Sequence, residues 1–217
     1  MLRLFQRCLY PKFCRSCGQL TSEQSVFCRP CLGSIKILPS AVYPITSAYD
    51  LKVFAAAAYQ DPIKNLVTRK FYGDLVASRQ LAQMILQFTE IHNTKIDCLT
   101  YIPLHWQRYA WRGFNQSHEM AKELGKQLQV PVAGLVRRCR KTEFQWKMSG
   151  GGRRQNVEGA FDASWYSWLK GNDLIKGKHI VIVDDLCTTG STLVLTAKII
   201  AHQRPASITA FVGCRVV

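Results

Sequence analysis

Two rhythms of apolar and polar residues alternate along this chain. Short apolar runs bounded by Gly, Pro, Asp or Asn read as buried strands: VFAAAAY (53–59), DCLTYIP (97–103), GKHIVIVDD (177–185) and SITAFVGCRV (207–216). Between them the period becomes helical. In DPIKNLVTRKFYG (61–73), Ile63, Leu66, Val67 and Lys70 share one face, with Asp61 as N-cap, Pro62 at the first helical position and Gly73 near the stop. Asp74 then opens a second helix through Leu81, Ile85 and Leu86. In SHEMAKELGKQLQ (117–129), Met120, Leu124 and Leu128 recur at helical spacing, and STLVLTAKIIAHQ (191–203) reads as a further helix. Strands alternating with helices predict an α/β fold, a parallel sheet covered on both faces. Ligands of such sheets bind at the carboxyl ends of the strands, where the DD loop and the Arg-rich LHWQRYAWRGFNQ (104–116) both fall. MSGGGRRQN (148–156) is the most flexible-looking stretch.

The chain has 217 residues, 47% of them apolar, enough for one full domain with a small appendage. The texture changes after Leu38-Pro39, which divides the chain into 1–38 and 39–217. No window approaches the roughly 20 apolar residues of a spanning helix, and the first residues lack the apolar run of a signal peptide. A cytoplasmic protein with no stable membrane span is the expectation.

Nine cysteines in a reducing compartment point to metal or redox chemistry more than to disulfides. CRSCGQLTSEQSVFCRPC sets the pair Cys14 and Cys17 ahead of the pair Cys28 and Cys31, with ten residues between. Each CxxC turn aims two thiolates at one ion, and two turns complete the tetrahedron that zinc prefers. Gly18 suits the tight turn of a zinc knuckle. The segment is too short to bury a core, so the metal would supply folding energy. The competing reading, a redox dithiol, normally needs one CxxC at a helix start. Four thiolate ligands leave no open position, so this zinc is structural.

VIVDDLCTTGST (181–192) carries the richest chemistry. A buried strand delivers Asp184 and Asp185 to its tip, where adjacent carboxylates accept from a pair of sugar hydroxyls or hold a bridging magnesium. Gly190 lets the backbone turn closely, and Thr188, Thr189, Ser191 and Thr192 add hydroxyls. The following helix aims its N-terminal amides at the same spot, which favours a phosphate. Carboxylates for ribose and amides for a 5′-phosphate describe a ribose-phosphate site. The competing reading is an ordinary turn with a Ser/Thr helix cap. A Walker loop is excluded, because no Gly-Lys-Ser/Thr follows a run of four.

VIVDDLCTTGSTL resembles the 5-phosphoribosyl-1-pyrophosphate (PRPP) motif of type I phosphoribosyltransferases. Together with the double CxxC, RKFYGD, IPLHWQRYAWRGFNQS and RKTEFQWKMSGGGRRQNVEGAF, it makes nearly the whole chain similar to the ComF/GntX family of competence-associated, phosphoribosyltransferase-like proteins. One departure is the Gly-rich SGGG before Arg153. The resemblance implies a type I phosphoribosyltransferase-like parallel sheet flanked by helices over 39–217, with a small four-cysteine zinc module over 1–38. It implies that Asp184 and Asp185 hold the ribose hydroxyls and Mg²⁺, that the loop from Cys187 through Thr188, Thr189, Gly190, Ser191 and Thr192 cradles the 5′-phosphate, and that Arg112 and Gly113 meet the pyrophosphate. Arg112 can fork two bonds to phosphate oxygens and Gly113 permits close approach. In a transferase reaction Mg²⁺, Arg112 and Lys70 would stabilise the developing charges. No acceptor base is identifiable: His105, His118 and His179 are each ambiguous.

The formal net charge of +15 attracts polyanions. Arg108 and Arg112 share a loop, Arg137, Arg138, Arg140 and Lys141 cluster, and Lys147, Arg153 and Arg154 follow, interleaved with Trp106, Tyr109, Trp111, Phe114, Phe144 and Trp146. Cations that track a backbone beside rings that stack on bases suit single-stranded nucleic acid. The plainer reading is that the rings pack beneath the loop and the cations serve pyrophosphate or water. Two functions follow as expectations: single-stranded DNA handling in natural transformation, with PRPP bound and other competence or DNA-processing proteins as partners, or a metabolic phosphoribosyltransferase with an unknown acceptor.

Overall fold

A computed structural model describes residues 13–21, 26–69, 75–104, 107, 109–110, 113–139, 161–164 and 174–217. Its centre is a five-stranded sheet in the order β1-β2-β7-β6-β3, built from β1 (Ala41–Thr46), β2 (Tyr49–Ala55), β3 (Cys98–Tyr101), β6 (His179–Cys187) and β7 (Ser207–Arg215). Short strands β4 (Val136–Arg138) and β5 (Phe161–Ala163) form a separate antiparallel pair. The junctions β2–β7, β7–β6 and β6–β3 are parallel, as the alternating pattern predicts.

The edge strand β1 corrects that prediction, because it pairs antiparallel with β2. Pro44 disguises β1 in the sequence. Proline cannot donate to a ladder, and an edge strand is where a sheet tolerates it. The 53–59 run also resolves differently: the strand starts at Tyr49 and ends at Ala55, and Ala58 makes only an isolated bridge to Arg215.

Two apolar layers cover the sheet. On one face, Val181, Val183 and Phe211 pack against helices α2 (Ile63–Arg69), α3 (Leu75–Phe88) and α4 (Gln116–Leu128), through Leu66, Leu81, Ile85, Met120 and Leu124. On the other, Ile180, Ile182 and Val212 pack against α5 (Ser191–Ala201), through Leu193, Ala197 and Ile200. Burial on both faces is why VIVIV-type runs, not alternating ones, mark these strands. Helix α2 starts at Ile63, so Pro62 sits in the preceding turn and not in the first helical position. Lys70, Gly73 and Asp74 lie outside the described residues.

The N-terminal cysteines share this architecture. Phe27, between the CxxC pairs, is fully buried in the same cluster as Leu66 and Phe211, with Val26, Cys14 and Cys28 around it. Lys36 O accepts from Ala58 N at 2.8 Å, and Arg215 Nη2 donates to Pro39 O at 2.9 Å, tying the following segment to the sheet.

Candidate functional site: a carboxylate pair, a phosphate loop and a thiol cluster

Strand β6 does not stop at the carboxylates. It runs on to Cys187, so Asp184 and Asp185 sit within its last half and not at its tip. The pleat slips there. Val181 and Val183 face the α2–α4 layer, Leu186 faces the same layer three residues later, and Cys187 joins the α5 layer. A strict two-residue period would have put Leu186 on the other side. The two half-buried carboxylates occupy the position where the alternation breaks.

Asp184 is held from a second element. Ser117 Oγ donates to Asp184 Oδ1 at 2.7 Å, and the Asp185 backbone N–H donates to the same oxygen at 3.0 Å. Ser117 lies in the first turn of α4, whose N-cap Asn115 accepts from the Ser117 and His118 amides. The Asn115 amide Nδ2 also donates to Ile102 O at 2.9 Å. One buried side chain thus caps α4 and closes the neck of the Arg-rich loop that leaves β3. Sequence reasoning began this helix at Ser117 and passed over both roles. The Asn-x-Ser sequence at a helix start is the signal that was available.

After Cys187 the chain turns through Thr188, Thr189 and Gly190 into α5. Gly190 is the N-cap at φ 76°, a left-handed conformation that glycine adopts without a side-chain penalty. It has no side chain with which to cap α5, in contrast to Asn115 on α4. The first amides of a helix lack intrahelical partners, so those of α5 are donors suited to an anion at the dipole's positive end. Thr188 and Thr189 are exposed, and Thr189 Oγ1 lies 2.8 Å from Ser191 Oγ. Carboxylates, hydroxyls and helix amides thus follow one another along residues 184–192. The Cys187 side chain is not among them: it is buried, and burial pushes its thiol above the ordinary value. Its main chain is engaged as well, with Cys187 O accepting from the Val216 N–H at 2.9 Å, so Cys187 lies beneath the exposed part of the loop.

Gly113 is exposed at φ 76°, and its N–H donates to Tyr109 O at 2.7 Å. Lys70, Arg108, Arg112, Arg140, Lys141, Lys147, Arg153 and Arg154 lie outside the described residues, as do His105, Trp106, Trp111, Phe144 and Trp146. Arg137 and Arg138 are on β4, and Arg137 Nη2 pairs with Asp162 Oδ2 on β5 at 2.9 Å. Tyr109 is exposed and Phe114 half-buried. The His118 ring lies tilted by 31° against Tyr101 with ring centroids 4.3 Å apart, and burial lowers its pKa. His179 is at the start of β6, at the opposite end from the carboxylates, with Nδ1 2.8 Å from Ser207 Oγ.

The four thiols of Cys14, Cys17, Cys28 and Cys31 converge, all within 4.8 Å of one another. Cys17 Sγ and Cys28 Sγ are 3.6 Å apart. A tetrahedron with the usual zinc–sulfur bond has an edge of about 3.8 Å, so the donor set fits zinc. Its turns are built for it. Gly18 N–H closes the first knuckle on Cys14 O at 3.0 Å with Gly18 at φ 73°, and Cys28 is the N-cap of α1 (Arg29–Gly33), which carries Cys31. Burial opposes ionisation of Cys14, but the backbone amides of Cys17, Cys28 and Ser16 outweigh it and bring the thiol down to about 6. Burial pushes Cys31 up to about 12.

Residues 115–216 match the phosphoribosyl transferase domain family. The chain is 28% identical over 184 residues to competence protein F of Haemophilus influenzae, spanning 82% of this chain and 74% of that protein. It is 33% identical over 172 residues to the DNA utilization protein YhgH of Escherichia coli K12, spanning 76% of this chain and 72% of that protein. Among solved structures, adenine phosphoribosyltransferase from Thermoanaerobacter pseudethanolicus superposes with a TM-score of 0.39 at 16% identity, covering 83% of this chain and 84% of that one. With its mostly parallel phosphoribosyltransferase-like sheet and its N-terminal four-cysteine cluster, the chain belongs to the family of competence protein F and the DNA utilization protein YhgH.

Proposed function

We propose that this protein serves DNA utilization by binding PRPP at the Asp184–Asp185 and α5 site and single-stranded DNA on its basic surface. The observation that carries the PRPP reading is the Ser117–Asp184 bond of 2.7 Å, which fixes a carboxylate beside an N-terminus that Gly190 leaves uncapped. A carboxylate pair orients ribose hydroxyls, and the loop from Thr188 to Thr192 receives the 5′-phosphate. Mg²⁺, held by Asp184 and Asp185, would neutralise pyrophosphate charge when bound. Arg112, Gly113 and Lys70 are assigned to the pyrophosphate end. Zinc on the four thiols would staple the turns that carry Cys14, Cys17, Cys28 and Cys31, and Phe27 joins that module to the main core.

The DNA half of the reading draws on the net charge of +15 and on relatives named for competence and DNA utilization. Arg108, Arg137, Arg138, Arg140, Lys141, Lys147, Arg153 and Arg154 are the assigned phosphate contacts. Affinity for an oligodeoxythymidylate should fall steeply with salt as counterions are released. No binding at low salt removes this half.

Calorimetric titration with PRPP and Mg²⁺ tests the sugar site. Asp184→Asn with Asp185→Asn should abolish the binding heat and leave the zinc content unchanged. Undiminished heat in that variant sinks the assignment. A second reading, turnover of PRPP with an acceptor base, is favoured by one observation. His118 follows Ser117 on α4, and burial lowers its pKa, the direction that favours the neutral imidazole a proton acceptor needs. Pyrophosphate release in the presence of PRPP, Mg²⁺ and an acceptor tests it.

A further inference from the structure

The phosphate loop has a floor that comes from the far edge of the sheet. Tyr43 lies on β1, with two strands, β2 and β7, between it and β6 in the order β1-β2-β7-β6-β3. Its ring nevertheless lies against Gly190. A Cβ built on Gly190 would meet Tyr43 Cε1 at 2.7 Å, Cζ at 2.9 Å and Cδ1 at 3.2 Å, distances at which the ring occupies the space of a side chain. The same side chain reaches the other end of the loop, where Tyr43 Oη is 3.9 Å from Cys187 Sγ. Burial, then the Cys187 thiol, raises the Tyr43 pKa above its ordinary 10, so the phenol is neutral at physiological pH. The corner is braced from below. Arg215, paired in register with Cys187, donates to Pro39 O at 2.9 Å just before β1 begins, and the Val216 N–H donates to Cys187 O at 2.9 Å.

We propose that Tyr43 is a positioning residue of the phosphate loop, its ring seated under Gly190 and its hydroxyl at Cys187, holding both ends of the 187–190 turn at the depth where the α5 amides meet a sugar 5′-phosphate. The inference rests on the PRPP reading of that loop. Gly190 in a left-handed conformation is free to move on one side only if nothing fills that side, and the Tyr43 ring fills it. Loss of the ring lets the turn sink toward the sheet, and the amides then miss the phosphate. The pyrophosphate end of the ligand, which the loop does not touch, keeps its own contacts. The hydroxyl contributes less than the ring, since its contact with sulfur is long.

The test is calorimetry with three probes, PRPP with Mg²⁺, ribose 5-phosphate, and inorganic pyrophosphate with Mg²⁺, on the full chain. Tyr43→Ala should weaken PRPP and ribose 5-phosphate by roughly tenfold or more, since small misplacements of positioning groups carry large penalties. Pyrophosphate should bind that variant as it binds the wild type. Tyr43→Phe should restore the sugar phosphates to near wild-type affinity. If Tyr43→Ala does not fold, Tyr43→Leu, which fills apolar volume without a flat ring, carries the same comparison. Wild-type affinity for ribose 5-phosphate in Tyr43→Ala or Tyr43→Leu overturns the positioning role while leaving the PRPP reading standing. Equal loss of all three probes overturns it too, because the effect is then general. A wild type that binds no PRPP brings down the reading itself.

Discussion

Ser117 Oγ donates to Asp184 Oδ1 at 2.7 Å across 67 residues of sequence, so the first turn of α4 and the last half of β6 hold one carboxylate between them. A hydrogen bond to a charged group contributes about 1.5–3 kcal/mol. Ser117→Ala should therefore loosen Asp184 and raise the Kd for PRPP with Mg²⁺ by roughly tenfold. Ser117→Thr, which keeps the hydroxyl, should recover most of that. Calorimetric Kd values for the pair decide the matter, and an unaltered Kd in the alanine variant removes Ser117 from the site.

Zinc removal should destabilise more than the first residues. Phe27 is fully buried against the main core, in one cluster with Leu66, Leu81 and Phe211. Stripping the metal with a chelator releases the turns that present Phe27, and truncating a buried Phe costs about 3–5 kcal/mol. The chelated protein and Phe27→Ala should both show a lowered Tm for the whole chain in a single calorimetric transition. Two separate transitions, with the upper one unmoved, contradict this coupling.

Asp97 fixes the entry to β6 by accepting the His179 N–H on Oδ2 at 2.7 Å, and that amide bond holds its carboxyl below the ordinary 3.8. A depressed folded-state pKa contributes stability above the unfolded value, and that contribution is lost as pH falls through the folded value. Asp97→Ala should be less stable than the wild type at neutral pH, and the gap should close in acid, as the pH falls below the ordinary 3.8 and through the depressed folded-state value. Denaturant melts of both proteins at the two pH values check it. A gap that stays constant with pH assigns Asp97 a role other than as an ionised acceptor.

Arg137 is exposed and paired with Asp162 across the β4–β5 ladder. If it contacts a DNA phosphate, Arg137→Ala should weaken oligodeoxythymidylate binding and flatten the plot of log K against log salt by about one phosphate contact. Asp162→Ala, which frees the guanidinium, should strengthen binding. Anisotropy titrations across a salt series measure both, and unchanged slopes exclude β4 from the interface.

The elements that were legible in the sequence are those whose burial is one-sided or complete. Helix α4 announced itself through Met120 and Leu124, and β6 through the unbroken run from Ile180 to Val183. Strand β1 was not legible: only Ile45 of its six residues is buried, and Pro44 reads as a breaker. The Asp184–Asp185 pair and the Thr188–Thr192 turn stand out from spacing alone because they are local in sequence. Ser117, Asn115 and Tyr43 do not, since each acts on a partner brought to it by other elements.

What the chain alone determined, then, is the set of chemically specialised turns. Two CxxC knuckles, an Asp-Asp strand and a glycine that opens a helix are fixed by residue type and short spacing, because a thiolate, a carboxylate or a left-handed backbone is a property of the residue itself. What only tertiary structure decided is how far each group is free to move. The bond from Ser117 to Asp184, the ring of Tyr43 beneath Gly190 and the burial of Phe27 depend on side chains many residues apart meeting across a packed sheet. Close packing is a property of the assembled layers and leaves no periodic trace in any one segment.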